Sequence, residues 1–215
     1  MELSFMADQS QSSTKAESVE LWLPESDHPD TIGLRSIGFW LYMMSDVMIF
    51  AGLFAANGVY LSAYGTSSIT AEQVIHPVQG LFPSLFLLSS VFMLGLAFDA
   101  VKHGWRTETL RWMGLALALG TVFILEEMYE FSGLAREGAL PQASAFLSDV
   151  WTIVWIHGAH VIVGLVWMAA LMVQVAREGF TEPVVGRLIN LRIFWFFQAV
   201  IWVAVYTFVY LIGVS

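Results

Sequence analysis

The length of its uncharged runs constrains this chain more than any other feature. Val78 to Phe98, Val150 to Ala176 and Ile193 to Ser215 contain no Asp, Glu, Lys or Arg. Each exceeds the ~20 residues that a helix needs to cross ~30 Å of hydrocarbon. With 57% hydrophobic and 13% charged residues, too little polar surface remains for a water-soluble domain. Strands of a membrane barrel would alternate in polarity over ~10 residues. These runs are longer and apolar all round, which predicts helices.

The fold class expected is an all-α membrane protein with five transmembrane helices, at about 34–64, 79–102, 111–135, 149–176 and 188–214. Short polar connections make successive helices antiparallel neighbours. Pro83 falls near the start of the second span, where a missing backbone donor costs little, and Pro77, Pro141 and Pro183 fall in connections. The five spans form one domain over 34–215. Residues 1–33 are rich in Ser, Gln, Asp and Glu and lack the pattern of a cleaved signal. They read as a retained, mobile cytoplasmic tail.

Basic residues set the direction of insertion. Lys15 and Arg35 precede or open the first span, Lys102, Arg106 and Arg111 lie between the second and third, and Arg177, Arg187 and Arg192 between the fourth and fifth. Only Arg136 lies on the other side. The N-terminus is therefore expected in the cytoplasm and Ser215 at the outer face, with the net charge of -9 carried by the tail and outer loops. There is no basic patch for nucleic acid. The chain has no Cys, which excludes disulfides, thiolate metal sites, iron–sulfur clusters and cysteine nucleophiles.

Ionisable groups inside a membrane are costly and mark function or buried pairing. Counted from Arg35, Asp46 lies ~16 Å into the first span, as a hydrogen-bonded tie between helices or as a proton-exchanging carboxyl. Counted from Arg136, Glu126, Glu127 and Glu130 lie ~15, ~13 and ~9 Å deep in the third span. His157 and His160 lie ~12 and ~16 Å from Asp149 in the fourth. Glu127 with Glu130, and His157 with His160, each share a helix face, so the two pairs are expected to meet.

Three readings of that meeting are open: a strut between helices, a proton relay, and a carboxylate–imidazole metal site. Glu126 lies one step off the shared face, toward another helix or subunit. Two histidines three apart on one helix cannot clamp a haem from opposite sides. Trp40, Trp195 and Trp202 are candidate lipid or subunit contacts in an aromatic chain. Ala51, Ala55, Gly114, Ala118 and Gly120 are the small residues expected at helix contacts.

Gly38-Phe39-Trp40-Leu41-Tyr42-Met43-Met44-Ser45-Asp46, the Glu127-x-Tyr129-Glu130-Phe131 run and His157-Gly158-Ala159-His160-Val161-x-x-Gly164-Leu165 together resemble, in that order, the motifs of subunit III of the haem–copper terminal oxidases. The Trp40–Asp46 phrasing, the five spans and the stretch from Leu165 to Gln174 look most like the ubiquinol oxidase (cytochrome bo type) branch. The likeness covers about residues 33 to 215.

The resemblance implies a subunit of a proton-pumping quinol oxidase in the bacterial inner membrane, without catalytic, cofactor-binding or metal residues of its own. Haems and copper are expected in the catalytic subunit I, with subunits II and IV and membrane phospholipids as further partners. It implies a role in stabilising the complex and in lining a lipid-filled cleft and oxygen route. Asp46, Glu127, Glu130, His157 and His160 match the family's polar motifs. Phe196 and Ala199 stand where relatives usually carry His and Asp, and Phe82 and Pro83 where an acid is common. A subunit III-like accessory of nitric oxide reductase and a small proton-coupled transporter are the alternatives.

Overall fold

The computed structural model describes the backbone of residues 31–64 and 77–211 and the side chains of 36–60 and 80–211. The polar tail up to residue 30 and the connection over 65–76 lie outside the described residues. In chain order the elements are α1 (Thr31–Tyr64), α2 (Pro77–Lys102), α3 (Arg106–Arg136), a short 3-10 turn (Pro141–Ala143), α4 (Ala145–Glu178) and α5 (Glu182–Val205), which runs on into a π-helical turn (Tyr206–Leu211). All five helices are long and apolar enough to cross a membrane, which makes this a multi-pass membrane protein.

Several helices extend beyond the apolar runs into turns that the sequence left to connections. α4 begins at Ala145, four residues before the expected start, where the Ser144 Oγ accepts a hydrogen bond from Leu147 N at 3.1 Å. α5 begins at Glu182, with Thr181 before it and Pro183 inside its first turn. Pro77 likewise opens α2. Both prolines were expected in connections, but a proline in a first turn loses a donor that has no intrahelical partner anyway. At 1.5 Å per residue the 34 residues of α4 span ~51 Å, well beyond the hydrocarbon, so both its ends reach the interface.

Tight connections fix the order of the bundle. α2 turns into α3 through Gly104 at φ 72°, a left-handed conformation that suits glycine, with Trp105 N bonded to Ala100 O at 3.0 Å. The Arg106 guanidinium donates to Ala176 O near the end of α4, joining this turn to the neighbouring helix end. α4 packs against α1, α3 and α5, whereas α5 packs against α1, α2 and α4. The α4–α5 pair is thus a central layer with α1 on one side and the α2–α3 hairpin on the other. α5 is the most covered span and α1 the least.

Lipid tails are as apolar as leucine, so close packing and hydrogen bonds must hold such a bundle together. Gly164 and Gly120 permit close approach of α5 to its neighbours. A Cβ at Gly164 would stand 2.7 Å from ring atoms of Phe194 and Trp195, and one at Gly120 would stand 2.8 Å from Trp195. Gly120 was among the small residues expected at helix contacts. Ala51, Ala55 and Ala118, also expected there, face outward instead.

Candidate functional site

Inside the bundle the polar residues form separate ties rather than one cluster. His160 on α4 turns toward α1, with its Nε2 3.5 Å from Asp46 Oδ2. Asp46 is buried and His160 half-buried. The His160 Nδ1 lies 2.8 Å from Ile156 O, and a carbonyl can only accept, so this nitrogen carries a proton. At that distance the two groups form a polar contact between α1 and α4, and Asp46 Oδ2 has no hydrogen-bond partner among the described residues.

His157, three residues earlier, is fully buried and stacks on the Trp202 indole at 5.2 Å, with the Phe123 ring edge-on at 6.0 Å. Neither of its ring nitrogens has a hydrogen-bond partner among the described residues. On α3, Glu130 meets the Tyr210 hydroxyl from the π-helical turn. Glu127 is 6% exposed, and both its carboxyl oxygens lack a hydrogen-bond partner among the described residues. Glu126 is exposed, off the face shared by the other two, in a groove between α2 and α3.

The expected meeting of Glu127 and Glu130 with His157 and His160 is not what the structure places. The reason is the layer order: α4 has α1 on its far side, so His160 finds Asp46, while His157 fills an aromatic slot against α5. Among the described residues no three His, Asp or Glu side chains come together in a way that would hold a metal ion.

Trp195 and Trp202 also differ from expectation. Trp195 is 0% and Trp202 1% exposed, so neither contacts lipid or another subunit. Trp195 Nε1 donates to Ser90 Oγ at 3.0 Å, and Ser90 in turn donates to Ala116 O at 2.7 Å, linking α5, α2 and α3. Trp202 Nε1 donates to Ser84 Oγ at 2.9 Å, which donates to Gly80 O at 2.6 Å. The two indoles lie seven residues apart on one face of α5, and the serines six apart on α2. That spacing was the signal in the sequence. Trp40 is 49% exposed and remains a surface residue of α1.

Further buried polar residues escaped the sequence reading because they are uncharged or near a helix end. Asn57 on α1 faces the Asp149 carboxyl on α4, both of them buried. Gln198 on α5 is fully buried, and its amide has no hydrogen-bond partner among the described residues. Between α1 and α5, Trp40, Met43, Met44, Val47, Phe196 and Val200 line an apolar groove of about 620 Å³ with Arg192 at its rim. The Arg192 guanidinium also lies over the Phe98 ring at 5.0 Å.

Comparison with known proteins places these features in a family. The family model described as cytochrome c oxidase subunit III matches residues 25–214. The chain is 38% identical over 185 residues to the cytochrome bo(3) ubiquinol oxidase subunit 3 of Pseudomonas putida, covering 86% of this chain and 89% of the relative. To the protein of the same name from Pseudomonas aeruginosa it is 37% identical over 190 residues, covering 88% and 90%. A probable quinol oxidase subunit 3 of Staphylococcus epidermidis is 31% identical over 182 residues, covering 84% and 90%. With nearly its whole length matched, this chain belongs to the cytochrome c oxidase subunit III family.

Proposed function

We propose that this chain is the cofactor-free subunit III of a proton-pumping ubiquinol oxidase. It stabilises the complex beside the catalytic subunit, which carries the haems and copper. The observation that carries this reading is the near full-length similarity to relatives named as ubiquinol oxidase subunit 3. The interior geometry agrees with it. His160 is engaged by Asp46 and by a backbone carbonyl, and His157 is enclosed by Phe123 and Trp202.

α1 supports a partner on its outer side. It packs against α4, α5 and the π-helical turn and leaves Ile37, Leu41, Tyr42, Met48 and Ile49 exposed, with Ala51 and Ala55 outward to permit close approach of another helix. Subunits I, II and IV and membrane phospholipid are the partners of this reading, with the apolar α1–α5 groove as the lipid-lined cleft and oxygen route. Its membrane is the bacterial inner membrane, with the N-terminus cytoplasmic and the C-terminus outside by the distribution of Lys and Arg.

Deleting the chain tests the proposal. Membranes without it should keep the haem and copper spectra of the oxidase while the solubilised complex dissociates or loses activity faster during turnover. Loss of the reduced-haem spectrum from an otherwise assembled partner would assign a cofactor to this chain and contradict the reading.

A further inference from the structure

The groove between α2 and α3 differs from the apolar groove beside α1. It encloses about 450 Å³ and is lined by Glu126, Glu130, Arg136 and Glu137 of α3 and its C-terminal end, with Phe82, Pro83 and Phe86 of α2 opposite. It begins at the Arg136 end of α3 and reaches Glu126 ten residues earlier, ~15 Å along the helix. Three carboxyls and one guanidinium thus share a cleft in a span otherwise bounded by apolar side chains.

Behind the groove the π-helical turn Tyr206–Leu211 places Tyr210 with its hydroxyl on Glu130. Such turns occur mostly as single-turn insertions in α-helices and are frequent at functional sites. A Cβ at Gly80 would meet the Tyr210 ring at 2.8 Å, so α2 holds that ring in place. Glu127 lies deeper, within electrostatic reach of both Glu130 and Tyr210, and neither of its carboxyl oxygens has a hydrogen-bond partner among the described residues. An unpartnered buried carboxyl calls for a polar occupant.

We propose that this groove is a water-binding access pocket, which brings the aqueous phase from the Arg136 end to Glu126 and Glu130, with Tyr210 behind Glu130 and the buried Glu127 deeper still. Its volume accommodates on the order of ten waters. A lipid tail there would leave the carboxyls unsolvated, at a cost of several kcal/mol each. A lipid phosphate would meet three carboxyls and a single Arg. Water and hydrated protons fit the lining, whose titratable groups are Glu126, Tyr129, Glu130, Arg136 and Glu137 from α3, with Tyr206 and Tyr210 behind and none from α2. Beyond Tyr210 stands Trp202, stacked on His157.

Thiol accessibility tests the proposal, because the chain has no Cys of its own and an introduced thiol reacts as the thiolate, which forms in water and not in lipid. Glu126→Cys is compared with Leu125→Cys, the neighbouring outward position, which is 60% exposed. Vesicles of each orientation carrying the full chain with its native partners receive a charged, membrane-impermeant methanethiosulfonate, and the adduct is read from the mass of the chain. The thiol at position 126 should react at least ~10-fold faster than the one at 125, from one face of the membrane only. Equal rates, or no reaction from either face, would overturn the proposal. Glu130→Cys against the outward Met128→Cys, 59% exposed, decides the question should Glu126→Cys fail to assemble.

Discussion

His160 Nε2 stands 3.5 Å from Asp46 Oδ2, and this contact ties α1, the least covered helix, to the central layer of the bundle. Because Nδ1 already donates to Ile156 O, the imidazole is held with its Nε2 toward the carboxyl, and the pair is a polar tie between α1 and α4. Asp46→Asn keeps a donor toward Nε2 and should leave assembly, initial turnover and proton pumping of the complex close to wild type. Asp46→Leu removes the partner and should weaken retention of the chain by roughly 3- to 20-fold, the range for 0.6–1.7 kcal/mol of intramembrane hydrogen bonding. A large early fall in pumping for Asp46→Asn would show that the carboxyl exchanges protons in the pumping cycle.

The Trp195–Ser90 bond joins α5 to the α2–α3 hairpin at a site with no access to water. Ser90→Ala leaves the indole N–H unpaired and should destabilise the purified complex by about 1 kcal/mol. Trp195→Phe costs more through lost packing. The double variant should be less damaging than the two losses added together, because the second change removes the group that the first left unpaired. Thermal unfolding of the four species in detergent, read as a double-mutant cycle, measures this coupling.

Gly164 and Gly158 lie on the same helix in opposite circumstances. A methyl group at Gly164 would collide with Phe194 and Trp195, whereas nothing lies within 4 Å of one at Gly158. Gly164→Ala should therefore cost about 1–3 kcal/mol, seen as a lower unfolding temperature or loss of the chain from the complex. Gly158→Ala should be neutral or stabilising by up to ~1 kcal/mol through helix propensity. Equal effects at the two positions would mean that α4 and α5 are not packed as described.

Glu130→Ala and His160→Ala each break a tie between helices, to Tyr210 and to Asp46 respectively. Both should reduce the amount of chain recovered in the complex by roughly 3- to 20-fold while turnover per intact complex stays near wild type. Quantifying subunit content alongside oxygen uptake separates the two effects. Normal content with abolished turnover would assign these residues to a proton relay.

The five spans were legible because bilayer thickness imposes a minimum apolar length that few other structures satisfy. Depth counting also found the buried acids and histidines, since a charge in hydrocarbon stands out in a sequence. Which of them meet was not legible. The pairing of His160 with Asp46 depends on α1 lying across α4 from α3, and one chain without a repeat carries no local signal for that order. Trp195 and Trp202 were misread as surface residues because an indole suits both the membrane interface and an interior with a hydroxyl in reach. Their serine partners on α2 decide between the two. The helix ends moved outward for a similar reason: Ser144 and Pro183 are cap and first-turn residues, equally at home in a loop.

Affinity purification through a tag on this chain, followed by metal analysis and quinol-dependent oxygen uptake, tests most directly whether it is an oxidase subunit without cofactors. A co-purifying complex that contains haem and copper and oxidises ubiquinol with oxygen is the expected result. Its cofactors should remain with the partner subunits when this chain is dissociated. A partner carrying non-haem iron and reducing nitric oxide, or cofactor that leaves with this chain, would contradict it.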